Sequence, residues 1–111
     1  MNTNLITKTF KTNNTEIEVK LDLENNTAWL TQNQLAKLFN VSRSWITRQI
    51  NKEEKNYCFA NSVCSDLEHT GNDGKEYLVK HYSLEIILKI GYKIDVDKTL
   101  IFKEWIEKKL I

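Results

Sequence analysis

Residues 30–50 read LTQNQLAKLFNVSRSWITRQI, and the arrangement of the rest of the chain follows from them. Thr31 with Gln34 three residues on is a capping box: the hydroxyl accepts a free N–H of the first turn while the glutamine reaches back. Leu35, Leu38 and Phe39 recur at helical spacing, which predicts a helix over 32–39 with one buried face. Asn40 stands where the chain has to reverse, and asparagine enters the left-handed region more easily than most residues, although glycine is commoner there. Ser42 caps a second helix whose Ile46 and Ile50 face inward, four residues apart. Ala36 keeps the crossing of the two helices close, and Val41 plugs the turn. This is the spacing of a helix-turn-helix over 31–51.

The outward side of the second helix has its own pattern. Ser44, Thr47, Arg48 and Asn51 fall together by i, i+3, i+4 and i+7, and Ser42 and Arg43 project from its N-terminal end. Arginine can take a guanine edge bidentately, asparagine an adenine edge, and a serine or threonine hydroxyl a phosphate. These are the side chains of a helix laid in a major groove. The rival reading is a pair of helices that binds protein, since exposed Arg and Asn occur on any surface. Trp45, beside the core residue Ile46, fits either partial burial or contact with a partner.

Charge supports the first reading locally. The 111-residue chain has a net charge of only +1, which by itself says nothing about nucleic acid. Residues 31–61 hold five cations, Lys37, Arg43, Arg48, Lys52 and Lys55, against Glu53 and Glu54, for a net +3. The excess therefore lies in and just after the opening stretch, where a phosphate backbone would meet it. The KEEK run at 52–55 reads as a solvated face within a polar connection over 51–61.

Upstream, EIEVKLD at 16–22 alternates strictly, with Ile17, Val19 and Leu21 on one face. That is a half-buried strand. ENN at 24–26 is a turn, AWL returns as a short strand, and LITKTF at 5–10 adds an earlier one. Downstream, Gly71-Asn72-Asp73-Gly74 is a turn between strand-like segments, a hairpin over 62–82 that would serve as a wing. Asn72 and Lys75 near its tip, with Lys37 and Ser42, would hold DNA backbone. Ser83 caps a short helix, LEIILKI, that ends at Gly91, and Asp95 or Asp97 starts the last helix. Ile101, Phe102, Trp105, Ile106 and Leu110 cover about half of that helix's circumference, wider than the ~100° stripe of one buried face. The surplus implies a second partner, and a homodimer through Phe102, Ile106 and Leu110 is expected. Trp29 and Trp105 are assigned to the core. The fold expected is α+β: a winged helix-turn-helix as a single domain over 1–111, with an N-terminal β-hairpin and C-terminal helices over 83–111.

Other chemistries have little to stand on. Cys58, Cys64, His69 and His81 match zinc-ligand spacings poorly, and in a reducing compartment the two thiols are simply free. Cys64 and His69 are the one pair to weigh as nucleophile and base, and an odd spacing on a strand puts them on opposite faces. No Gly-rich phosphate loop is present, so neither an enzyme, a cofactor, a metal nor a small-molecule substrate is expected. No apolar run approaches the ~18 residues of a membrane span, and the polar N-terminus lacks a signal peptide's apolar region, so a cytoplasmic location is expected.

Several motifs resemble a known family: W-L-T-Q at 29–32, V-S-R at 41–43, S-V-C at 62–64, H-T-x-x-D-G-K-x-Y at 69–77, and Y-x-L at 82–84 ahead of Gly91-Tyr92. Together they are similar to the N-terminal region of the RhuM family over residues 16 to about 106. These are bacterial virulence-related proteins, often described as DNA-binding. The resemblance implies a DNA-binding regulator in a defence or mobile-element setting. The S-V-C and H-T motifs also imply a family role for Cys64 and His69, for which packing at the base of the wing is the expectation. Where the family usually reads R-V-N-S after G-Y, this chain has Lys93-Ile94-Asp95-Val96, so whatever that turn does elsewhere does not carry over.

Overall fold

The alternation of EIEVKLD is borne out in a computed structural model that describes residues 5–57 and 63–111. Cys58, the end of the expected polar connection and the first residue of the expected wing lie outside the described residues. The elements run β1 (Leu5–Lys11), β2 (Glu16–Asp22), β3 (Thr27–Leu30), α1 (Gln32–Phe39), α2 (Arg43–Tyr57), β4 (Cys64–Thr70), β5 (Glu76–Ser83), α3 (Leu84–Ile94) and α4 (Val96–Leu110). The architecture is α+β, an antiparallel five-stranded sheet in the order β1-β2-β3-β5-β4 with four helices. The β1–β2 ladder pairs Phe10 with Ile17, and β3 meets β5 through Leu30 opposite Tyr82. The strand before the two helices is thus hydrogen-bonded to the second strand of the hairpin after them.

One face of the sheet carries Phe10, Ile17, Val19, Leu21, Ala28, Leu30 and Tyr82, all buried against the helices. From α4, Phe102 meets Phe10 edge-on at 5.1 Å and lies beside Trp105, which also contacts Phe10 at 5.3 Å. Phe102 and Ile106 are 0 % exposed. Two of the three residues expected to form a homodimer face, Phe102 and Ile106, are thus packed inside the chain, Phe102 against its own N-terminal hairpin. Only Leu110 of the three keeps some surface. Trp29 is core as expected, and Trp105 is half-buried. No helix among the described residues is long and apolar enough to cross a membrane.

Local signals held where their partners were close in sequence. The Thr31–Gln34 box is complete, with Gln34 N donating to Thr31 Oγ1 at 3.1 Å and Thr31 N to Gln34 Oε1 at 2.9 Å. Asn40 adopts φ 54°, ψ 50° and its N–H closes on Ala36. Asp95, one of the two expected starts, caps α4 by accepting from Lys98 N.

Three expectations are corrected by contacts distant in sequence. α2 does not stop near Asn51 but continues to Tyr57, because Glu53 turns inward to Lys93 Nζ at 3.1 Å on α3. Glu53 is 7 % exposed, so KEEK is not a wholly solvated run. Gly91 does not end its helix: α3 runs on to Ile94, and a Cβ at Gly91 would collide with Thr99 and lie 2.7 Å from Phe39 Cζ. The glycine is there to let α4 and α1 approach, not to break the helix. Ser83 precedes α3 but makes no capping bond; the Leu84 N–H goes to Thr27 Oγ1 at 3.1 Å instead.

Across the sheet, His81 is wholly buried, with Nδ1 2.7 Å from the Val79 carbonyl. A carbonyl only accepts, so Nδ1 carries the proton and Nε2 is a bare acceptor. Burial pushes the His81 pKa down to about 4 from 6.5, Lys20 and His69 push the same way, and the Val79 carbonyl and Asp66 pull it up. The unfolded chain binds this proton near pH 6.5 while the folded chain refuses it until about pH 4, so stability is full above pH 6.5 and falls towards pH 4. Between pH 7 and pH 5 the loss is roughly 2 kcal/mol. Urea unfolding at the two pH values reads it directly, and His81→Gln should remove most of the difference. A difference that survives the substitution would assign the pH dependence to another group.

Candidate nucleic-acid interface

The inward side of α2 is set by Ile46, Ile50 and Glu53, all buried. At ~100° per residue the opposite side holds Ser44, Arg48, Asn51 and Lys55, with Lys52 alongside. All five are exposed. Arg48, Gln49, Asn51, Lys52 and Lys55 line a surface depression of about 520 Å³. Among the described residues, no ion pair engages Arg43, Arg48, Lys52 or Lys55. The carboxylates of the same helix lie elsewhere: Glu53 is held by Lys93, and Glu54 falls about 100° around the helix from Lys55 and about 160° from Lys52.

Ser44, Arg48 and Asn51 of the expected reading set share this exposed side, and Arg43 is exposed at the helix's N-terminal end. Thr47 is different. Its half-buried hydroxyl donates to Gln32 Oε1 at 2.5 Å, with the Arg43 carbonyl at 3.0 Å. Gln32 Nε2 in turn donates to Tyr82 Oη at 3.1 Å. Thr47 thus belongs to a chain of hydrogen bonds that ties α2 to α1 and β5, and its orientation serves the scaffold. Ser42 is also engaged, accepting from Trp45 N at 3.1 Å as the helix cap. Trp45 packs against the core with partial exposure, one of the two readings left open for it.

No family model, no curated protein and no solved structure matches this chain.

The expected backbone contacts are spread wider. Lys37 is exposed on α1 and lines, with Glu16, Glu18, His69 and Asn72, a depression between the two hairpins. Asn72 and Lys75 are exposed at the β4–β5 turn, where Asp73 accepts from Lys75 N at 2.9 Å and from the Tyr77 hydroxyl. These two bonds hold the Asp73 carboxyl below its usual range, so the tip keeps a negative charge. Asp66, Glu68, Asp73 and Glu76 outnumber Lys75 and Lys80 on this hairpin, which therefore suits a phosphate backbone less than α2 does.

Cys64 and His69 sit at opposite-parity positions of β4. Cys64 packs towards the core, where burial raises its thiol pKa, and the His69 ring lies 6.1 Å from that of His81. No group of three metal-ligating side chains converges among the described residues. The reading from sequence counted Lys52 and Lys55 in the local positive excess but did not set them on the same helix as Arg48, since that required a helix carried past Asn51. It missed Gln32, which was legible only once Tyr82 was placed beside it.

Proposed function

We propose that the protein is a winged helix-turn-helix DNA-binding domain that reads the major groove with α2. The observation that carries this reading is the outward face of α2: exposed Ser44, Arg48 and Asn51, free of carboxylates, with Arg43 exposed at the N-terminal end, on a helix anchored by its other side. In that form the β4–β5 hairpin, whose second strand pairs with β3, would be the wing. The resemblance of its motifs to the RhuM N-terminal region agrees with a regulator in a defence or mobile-element setting. Lys37, Ser42, Asn72 and Lys75 would be backbone contacts, and Thr47 a positioning residue. A symmetric operator would require two copies to associate, and α4 leaves Val96, Leu100 and Ile101 about half exposed for such a contact.

The test is selection of bound duplexes from a random pool, followed by titration of the enriched sequence. Arg48→Ala should weaken binding by about 1–3 kcal/mol and relax preference at one base position. Unchanged affinity and unchanged preference would remove Arg48 from the reading face. A pool that enriches nothing favours the second reading, a protein-interaction module on the same fold. The feature behind that alternative is the acidic hairpin, on which Leu78 is 74 % and Tyr77 47 % exposed.

A further inference from the structure

We infer that the C-terminal part of α2 is a phosphate-contact strip, in which Lys52 and Lys55 grip the duplex backbone beyond the groove read by Arg48 and Asn51. The inference rests on the duplex-reading assignment of α2 and adds the part of the partner that these lysines recognise. α2 spans Arg43–Tyr57, 15 residues, so Ser44 and Lys55 are separated by about 16 Å along the axis at ~1.5 Å per residue. A B-form major groove is ~12 Å wide. A helix that enters it with Ser44 and Arg48 therefore runs out over the sugar–phosphate wall before it reaches Lys55.

The residue types change where that crossing falls. The proximal face offers Ser44, Arg48 and Asn51, side chains able to make directional contacts with base edges. Lys52 and Lys55 follow, long flexible ammonium groups that hold phosphates as point charges. Both are exposed, and the carboxylates between them lie off this strip: Glu53 is buried against Lys93, and Glu54 falls about 160° around the helix from Lys52 and about 100° from Lys55. The Glu53–Lys93 pair has a second consequence. It holds the last turns of α2 in place against α3, so the two lysines are presented on an anchored segment rather than on a fraying end. The β4–β5 hairpin is net acidic, so α2 offers the backbone positive charge that the hairpin does not.

The experiment is the salt dependence of binding to the selected duplex, by fluorescence anisotropy, for wild type and for the double variant Lys52→Gln/Lys55→Gln. Each phosphate contact removed lowers the slope of log K against log salt by about 0.9, so the expected change is close to 2. The ranking of sequences in the selection should stay as in wild type. Lys8→Gln/Lys108→Gln, equally exposed but away from α2, should leave the slope unaltered, and circular dichroism checks that each variant folds. A wild-type slope in the α2 double variant, with binding otherwise intact, overturns the inference and leaves the reading face standing. So does an altered base preference, which would place these lysines on bases. If wild type selects no duplex, the DNA-binding reading fails and the strip falls with it.

Discussion

Phe102→Ala should lower the unfolding free energy by about 3–5 kcal/mol, the range for emptying a fully buried aromatic site. The ring is 0 % exposed, meets Phe10 at 5.1 Å in an edge-to-face arrangement and stacks on Trp105 at 6.3 Å. These contacts join the last helix to the first strand, so no local rearrangement can fill the hole without moving one of them. Urea denaturation followed by tryptophan fluorescence measures the loss. Leu100→Ala and Ile101→Ala, on the same helix but about half exposed, should each cost far less. A small loss at Phe102, with disappearance of a concentration-dependent midpoint, would instead place the ring in a contact between subunits.

The second large effect is expected at Gly91. Alanine is the better helix former by about 1 kcal/mol in isolation, so propensity alone predicts that Gly91→Ala stabilises α3. The packing predicts the opposite sign. A methyl group there would overlap the Thr99 side chain and approach Phe39 Cζ to 2.7 Å. Thr99 is wholly buried and Phe39 is 5 % exposed, so neither can move aside freely. Overpacking of this kind usually costs 1–3 kcal/mol, and a net destabilisation of about 3 kcal/mol is expected with two neighbours affected. Thermal unfolding decides the sign. Adding Thr99→Ala should recover part of the loss, and a stabilised Gly91→Ala would mean that α1 and α4 give way more easily than their burial suggests.

Gly91 also illustrates which parts of the fold were legible. A glycine after an apolar helical run looks the same whether it closes the helix or admits a neighbour, and the deciding groups, Phe39 and Thr99, are not in that run. The Thr31–Gln34 box, the Asn40 reversal and the alternation over 16–22 were readable because both partners of each interaction lie within a few residues. The full length of α2 was not, since the carboxylate that turns KEEK inward finds its lysine forty residues later in sequence. The wide apolar face of α4 was read as needing a second partner, and the contact of Phe102 with Phe10, more than ninety residues away in sequence, was beyond the reach of spacing along one helix. At the site, the exposed residues of α2 followed from periodicity alone. Thr47 lay on the same arc, and only the placement of Gln32 separated it from the reading set.

The amide of Gln32 joins three elements at one point. Its oxygen accepts from Thr47 and its nitrogen donates to Tyr82, so both ends of one amide are engaged. The first residue of α1 therefore acts as a rivet through α2 and the strand leading back from the hairpin tip. A torque applied to that hairpin, by a partner pressing on exposed Leu78 and Tyr77, would be transmitted to the pitch of α2. On the proposed duplex-reading role, base preference would then depend on a side chain that touches no base.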